Sequence, residues 1–168
     1  EEEENCEPSF VHHPAHPLPA FPQEGAHLKL LVGSLFGHTS PVRTHSDLFY
    51  CDGALPAGGR LTIPCDGREG GVYLVSGRLT AGGTQLEPHN LAVGEIGEGL
   101  SLEAQEDSRF LLLGGSPVGK RFIYWNFVSS RQEEIERAKR DWLPGPGPAG
   151  SRFPQIPGDD QEFIPLPE

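Results

Sequence analysis

The hydrophobic residues in the middle of the chain form short runs that are separated by Gly, Pro, Asp or Asn. The first run, over 27–37, begins with alternating apolar and polar positions, the pattern of a half-buried β-strand. Further runs of about five residues follow at a spacing of roughly 8–12 residues, which predicts an all-β barrel or sandwich rather than alternating strands and helices. They are Leu48–Asp52, Gly59–Ile63, Gly71–Val75, Arg78–Thr80, Asn90–Val93, Leu100–Ala104 and Arg109–Leu113.

One amphipathic helix is predicted after these strands, over 129–143. Ser130 and Glu133 have the spacing of a capping box, in which the serine oxygen accepts an unpaired backbone N–H and the glutamate reaches back to the cap. The Leu-Pro-Gly sequence that begins at Leu143 ends the helix. Three apolar residues share one helical face: Ile135, Ala138 and Trp142.

Prolines are concentrated in 8–26 and 144–168. Because proline has no backbone N–H, neither segment can be a helix or a central strand, and we predict two extended arms. Both arms contain apolar side chains, so we expect them to pack, and at least the tail from Phe153 to dock on a barrel. The predicted divisions are an acidic, disordered tail and arm (1–26), a barrel (27–128), a helix (129–143) and a second arm (144–168).

The chain is acidic, with a formal net charge of −11 and no basic run. Phosphate neutralisation needs clustered Lys and Arg, so this composition argues against nucleic-acid binding and against docking on anionic membranes. No stretch approaches the roughly 18–20 apolar residues of a membrane-spanning helix. The chain also lacks methionine and begins with four glutamates, which we interpret as the start of a fragment of a longer protein.

The three cysteines, Cys6, Cys51 and Cys65, lie far apart and form no CxxC or zinc-type pair. This spacing predicts free thiols in a reducing compartment. We therefore expect a cytoplasmic protein, or a nuclear one if its source is a eukaryote.

Several segments along the chain resemble those of bacterial-type pirins. They are PSF and HHP at 8–14, LLLGG-x-P at 111–117, YWNFVSS at 124–130, AK-x-DW at 138–142 and EFIPLP at 162–167. The residues of this signature to which we assign a structural role are Trp125, Asn126, Phe127, Ser130, Glu133, Trp142 and Phe163.

The resemblance implies the C-terminal domain of a bicupin, a protein of two small barrels that pack face to face. The implied fold is a cupin (RmlC-like jelly-roll) antiparallel β-barrel with one C-terminal helix and Pro-rich arms. It also implies iron or another divalent metal in an N-terminal barrel that this sequence lacks. That N-terminal domain is the expected partner, with a regulatory protein as a further candidate. Quercetin 2,3-dioxygenase activity or transcriptional co-regulation is implied only for the longer parent protein.

The metal-binding motif of cupins can be tested by its spacing. The first motif runs G-x5-H-x-H-x3-E-x6-G, and Gly58 and Gly77 keep its flanking glycines. The three ligand positions are occupied by Pro64, Asp66 and Gly70, and the histidine position of the second motif by Leu102. One carboxylate is fewer than the three or four ligands that iron, manganese or zinc needs. We therefore predict no metal, no cofactor and no catalytic residue in this chain.

Other candidate site residues have two interpretations each. His12, His13 and His16 are close enough to share a metal ion, but interleaved prolines favour a polar linker. Cys65 as a nucleophile would need a nearby base, and its neighbours offer only carboxylates, Asp66 and Glu69. Predicted turns contain three further histidines, His38, His45 and His89. Three aromatic residues either line a ligand pocket or seat the helix on the sheet, namely Tyr124, Trp125 and Phe127.

Three functions stay open on this basis. The first is a non-catalytic structural barrel of a two-barrel pirin. The second is a free-standing cupin enzyme, such as a dioxygenase or sugar epimerase, with a rearranged metal site. The third is a protein-binding module, which requires an exposed apolar patch of several hundred Å².

Overall fold

The computed structural model describes residues 4–159 and 161–167. These residues form two compact units, each described by itself below. The larger unit is Pro8–Val118, and the smaller one combines the segment that ends at Glu7 with the chain from Gly119 onward. The division between these units falls after Val118, and the predicted bounds of barrel, helix and arms stay a prediction.

Two antiparallel sheets make up the larger unit. The first has the strand order β1-β2-β4-β11-β6-β9, with β3 paired to β2, and the second has the order β5-β10-β7-β8. The strands are β1 (Ala20–Gln23), β2 (Ala26–Leu35), β3 (His38–Thr39), β4 (Leu48–Leu55), β5 (Arg60–Ile63), β6 (Glu69–Ser76), β7 (Leu79–Ala81), β8 (Thr84–Leu86), β9 (Leu91–Val93), β10 (Leu100–Ala104) and β11 (Ser108–Gly115). The predicted all-β class is confirmed.

The core lies between the two sheets and is apolar. Alternate residues of several strands face it, as in β10, where Leu100, Leu102 and Ala104 are buried and the residues between them are exposed. Each Leu or Phe that is fully buried stabilises the fold by about 1.5–3 kcal/mol. The largest side chains of this core are Phe49, Phe110, Leu30, Leu35, Leu55, Leu61, Ile63, Leu74, Leu79, Leu102 and Leu112.

The structure adds strands that the sequence pattern did not predict, and most of them are short or lie at sheet edges. β1 contains Pro22 and pairs only with β2, so the proline occupies an edge, where its missing N–H costs no ladder bond. β8 forms a hairpin with β7 across Gly82 and Gly83. Upstream of β1, Phe10 is 91% exposed, and the packing of this part of the first arm stays a prediction for the parent protein.

The smaller unit contains a hairpin and the helix. Strands β12 (Phe122–Tyr124) and β13 (Phe127–Ser129) pair with each other, and helix α1 (Gln132–Trp142) follows. The sequence pattern predicted the helix but not the two strands of this hairpin. Ile135 and Ala138 are buried, as the apolar stripe predicts. No helix among the described residues is long and apolar enough to cross a membrane.

The predicted capping box is wrong. The N-cap of α1 is Arg131, which makes no side-chain cap hydrogen bond, and Glu133 is exposed. The Ser130 hydroxyl instead donates to the Glu4 carboxylate, at 2.6 Å. A partner 126 residues away in the chain thus replaces the local cap that the motif predicts.

The C-terminal tail packs on the helix and hairpin of its own unit. Trp142 Nε1 donates to the Ile164 carbonyl oxygen at 2.9 Å, and the Tyr124 hydroxyl donates to the Pro167 carbonyl oxygen at 2.7 Å. The carbonyl groups of extended Pro-rich backbone are not paired within the segment, so two of them can accept these hydrogen bonds. The tail is therefore anchored at two points, while its docking on a barrel stays a prediction.

Replacing one glycine tests the close packing of β2 on β4. Gly33 has φ +78°, and an added Cβ would lie 1.7 Å from the Leu48 carbonyl oxygen. Gly25 has a similar φ of +83° with nothing within 4 Å of the added atom. We expect Gly25→Ala to lower the free energy of unfolding by about 1 kcal/mol, from backbone strain alone. Gly33→Ala should cost about 3 kcal/mol or more, because the clash adds to the strain.

Urea unfolding curves of the two variants measure this difference. Equal losses of stability at the two positions would contradict the close approach of Gly33 to Leu48.

Candidate functional site

Three of the four positions of the cupin metal motif lie between the end of β5 and the start of β6, and the fourth, Leu102, lies in β10. Pro64 is half-buried just after β5, and Gly70 is buried within β6. Asp66 is exposed and has φ +46°, a left-handed conformation that places it in a turn. Leu102 is 2% exposed and belongs to the core. The one carboxylate of the motif is therefore a solvent-facing turn residue.

The residues of this segment that face the core each lie one position before a residue that the cupin motif aligns with a metal ligand. Ile63 and Cys65 are buried at 2% and 1% exposure, whereas Asp66 is exposed. A Cβ added to Gly70 would lie 2.6 Å from Cys65 Sγ. The space in which a ligand side chain at position 70 would begin is thus filled by the cysteine sulfur.

A buried cation lies beside this segment. Arg68 is 8% exposed and donates from Nε to the Cys65 carbonyl oxygen at 3.2 Å and from Nη1 to the Ser34 carbonyl oxygen at 3.0 Å. Its guanidinium also lies 4.8 Å from the centre of the Phe49 ring. Asp47 is 3.7 Å away but largely exposed, so this ion pair adds little. Arg68 therefore joins the β2 and β5 ends of the unit and places a fixed positive charge there.

The histidines lie mostly at the surface. His12 and His16 are exposed, and His38 stacks on the Phe21 ring with centroids 3.8 Å apart. His89 is exposed and lies 3.5 Å from the Tyr73 hydroxyl. Across residues 4–159 and 161–167, no group of three or more His, Cys, Asp or Glu side chains is placed to hold a metal ion.

The cysteines differ in burial. Cys6 is exposed, while Cys51 and Cys65 are buried. Burial raises the pKa of the Cys51 thiol to about 12, so this thiol stays protonated at neutral pH. Near Cys65 the two carboxylates, Asp66 and Glu69, are exposed, and the thiol lies 3.9 Å from the Ile63 carbonyl oxygen. Cys65 therefore lacks the hydrogen-bonded base that a catalytic thiol requires.

In the smaller unit, four signature aromatics meet in one cluster. The Trp142 ring lies 5.9 Å from Trp125 and 6.1 Å from Phe163, measured between centroids. Phe127 lies 5.7 Å from Trp125. Phe153, which the signature did not include, contacts Phe127 and Trp142 at 5.6 and 5.3 Å. Edge and offset contacts of this kind stabilise by about 0.5–1.5 kcal/mol each beyond burial, so these rings hold the tail on the helix.

Asn126 has a positional role in the same unit. Together with Trp125 it forms the two-residue turn of the β12–β13 hairpin, where Tyr124 pairs with Phe127. Trp125 has φ +55°, a strained conformation for a residue with a side chain. The turn places the Trp125 ring against the cluster.

A carboxylate clamp, which sequence reasoning missed, joins residue 4 to the end of β13. The Glu4 carboxylate accepts hydrogen bonds from the Ser129 hydroxyl at 2.7 Å, the Ser130 backbone N–H at 2.6 Å and the Ser130 hydroxyl. Hydrogen bonds from Ser130 and then from Ser129 lower the pKa of Glu4 to about 2. The expectation of disorder for 1–7 is therefore wrong at Glu4, and residues 1–3 lie outside the described residues.

Comparison with known proteins finds matches that extend over both units. The family described as the Pirin C-terminal cupin domain matches residues 50–146. A Pirin-like protein of Caulobacter vibrioides is 41% identical over 167 residues, which cover 98% of this chain and 56% of that protein. Pirin-1 of Arabidopsis thaliana is 26% identical over 150 residues, which cover 83% of this chain and 52% of that protein. The chain spans about half the length of these curated relatives.

A solved structure shows the same fold. The crystal structure of quercetin 2,3-dioxygenase from Acinetobacter baumannii is similar with a TM-score of 0.85 and 27% sequence identity. The match covers 99% of this chain and 55% of that one. The expected cupin jelly-roll is confirmed.

Thiol reactivity tests the burial of the cysteines. At about pH 8 we expect DTNB to modify one thiol of the native chain quickly, because Cys6 alone of the three is exposed and thiolate is the reactive form. Cys6→Ser should remove this fast reaction, and denaturation should release the two buried thiols. A fast reaction that survives Cys6→Ser and is lost in Cys65→Ser would instead identify Cys65 as a reactive thiol.

The clamp predicts a pH dependence in the smaller unit. The ordinary pKa of Glu4 is 4.5 and its folded value is about 2, so its stabilisation is complete above pH 4.5 and is lost as the pH falls towards 2. Between these values we expect the stability of this unit to fall more steeply in the wild type than in Glu4→Gln. Both tryptophans, Trp125 and Trp142, lie in this unit, so their fluorescence follows its unfolding.

Glu7→Gln is the matched control for this experiment, since it removes an exposed carboxylate three residues further along. The same pH slope in Glu4→Gln and the wild type would rule out the clamp in solution.

Proposed function

The chain belongs to the pirin family, and on this basis we propose that it is the non-catalytic structural barrel of a two-barrel parent protein. In this proposal the partner is an N-terminal pirin domain, and iron or another divalent metal is held there. The parent would then resemble a metal-dependent quercetin 2,3-dioxygenase or a transcriptional co-regulator. Relatives that are nearly twice as long as this chain support the two-barrel parent.

The main support for a non-catalytic role is the packing at the motif positions. An enzyme of this fold needs several inward-facing nitrogen or oxygen ligands that converge on one point. Here the inward positions are filled by Ile63, Cys65 and Leu102, and the one carboxylate, Asp66, is exposed. A metal ion therefore does not fit the residues at this end of the barrel.

Charge supports the same conclusion. The Arg68 guanidinium is buried beside Cys65, with both of its hydrogen-bonded partners being backbone carbonyls. A divalent cation placed near this fixed charge would be repelled in a medium of low dielectric constant. The residues thus favour a closed barrel end over a metal site.

The proposal also accounts for the retained fold. A barrel whose ligand positions have changed but whose core is intact keeps the shape of its outer surfaces, and those surfaces can hold a partner domain. The activity of the parent would then require the folded shape of this chain but none of its side chains as a catalytic group.

Metal analysis tests this function directly. We expect the chain to hold substoichiometric metal after incubation with ferrous iron and gel filtration, and not to oxidise quercetin. The parent protein is the positive control for both measurements. One tightly bound ion per chain that is lost in Asp66→Ala would favour the alternative of a free-standing enzyme. Loss of such an ion when His12, His13 and His16 are replaced would locate a site in the first arm instead.

A further inference from the structure

The end of the C-terminal tail, 162–167, belongs to no helix or strand. Its sequence is Glu-Phe-Ile-Pro-Leu-Pro, with prolines at positions 165 and 167. Each proline fixes its own φ and keeps the residue before it extended, so the segment favours a polyproline II helix. A segment that is ordered in this way before it meets a surface loses little further entropy on binding.

Two side-chain donors hold this segment at carbonyl groups three residues apart. Trp142 Nε1 donates to the Ile164 carbonyl oxygen at 2.9 Å, and the Tyr124 hydroxyl donates to the Pro167 carbonyl oxygen at 2.7 Å. A polyproline II helix has three residues per turn, so carbonyl groups at this spacing point to the same side, about 9 Å apart. The two donors therefore bind one side of a single turn of such a helix.

An aromatic surface beside the donors receives the Phe163 side chain. The Phe163 ring lies 6.1 Å from the Trp142 ring, with the two planes at 76°. It also packs over Gly145, where an added Cβ would lie 3.1 Å from the Phe163 ring. Gly145 has φ +86°, so a side chain there would strain the turn as well as narrow this space. The Lys139 ammonium lies 4.4 Å from the centre of the Tyr124 ring, a cation–π contact that helps to fix that ring.

The tail contacts this surface without being enclosed by it. Phe163 is 43% exposed and Ile164 is 69% exposed, although both side chains are apolar. The chain that leads to the tail, 157–159, is exposed and turns at Gly158, which has φ +81°. The tail is thus held as a bound peptide is held, by carbonyl hydrogen bonds and one inserted ring, at the end of an exposed turn.

We propose that Trp142, Tyr124 and Gly145 form a binding site for proline-rich peptides, and that the chain's own tail is its ligand. An aromatic surface with donors for backbone carbonyls is the usual means by which proteins bind polyproline II segments. The ligand class is an extended peptide in which prolines follow an aromatic residue at the second and fourth positions. The attached tail occupies the site at an effective concentration of about millimolar, and its release admits a peptide of the same class. This inference does not depend on the proposed function.

Cutting the tail from the folded chain tests the proposal. A protease cleavage sequence is inserted after Gly158, in the exposed turn, and the chain is cleaved after it has folded. Gel filtration of the dilute protein should then separate the released tail from the rest of the chain. A fluorescein-labelled synthetic peptide of residues 161–167 should bind the remainder with a saturable rise in anisotropy. The uncleaved chain should bind the same peptide about tenfold more weakly or worse, because its own tail competes.

Matched substitutions in the peptide and in the site test the mode of binding. A peptide with Pro165→Ala and Pro167→Ala should bind about tenfold more weakly, because it is no longer ordered before binding. Tyr124→Phe in the cleaved chain should weaken binding about threefold to tenfold, the usual effect of one lost hydrogen bond. Tyr73→Phe is the control, since it removes a tyrosine hydroxyl from the larger unit and should leave binding unchanged.

Circular dichroism of helix α1 shows whether the cleaved chain stays folded. Helical signal that is lost with the tail and restored by saturating peptide would support the site as well as direct binding does. A helix that the peptide does not restore, or a tail that stays bound at every dilution, would overturn the proposal, because the tail would then be a permanent part of the unit. An intact helix without peptide binding would overturn it too, as would equal binding by the uncleaved chain or of the peptide without prolines.

Discussion

The burial of one apolar interior between two antiparallel sheets is the constraint on which the other features of the larger unit depend. Because alternate residues of every long strand must face this interior, a side chain is either part of the core or part of the surface. Leu102 and Cys65 lie inside, where a metal-binding barrel would place ligands. The packing that gives the unit its stability therefore also places Leu102 in the core, at the position where the second cupin motif has a histidine.

The two units differ in how completely they satisfy this constraint. The larger unit closes its core with its own strands, and Arg68 satisfies two backbone carbonyls at one end of it. The smaller unit relies on interlocking aromatic rings, two hydrogen bonds to its tail and the Glu4 clamp, while Ile123 and Val128 remain exposed. Its burial is therefore less complete than that of the larger unit.

Hydrogen bonds from polar side chains connect residues that are far apart in the sequence of this protein. Glu4 binds Ser129 and Ser130 across about 125 residues of the chain, and Arg68 binds Ser34 across 34. Each of these contacts involves a group that would be costly to bury without a partner. They fix chain segments relative to one another inside a unit.

The sequence by itself determined the features that depend on neighbouring residues. Short apolar runs between turn residues predicted most of the strands, and the stripe of Ile135, Ala138 and Trp142 predicted the helix. Only the tertiary structure decided that Cys65 faces inward and Asp66 outward, because a positive φ at Asp66 redirects the chain. It also decided that Ser130 binds Glu4 and not its own helix. Such contacts depend on the path of the whole chain, which a pattern of a few residues does not contain.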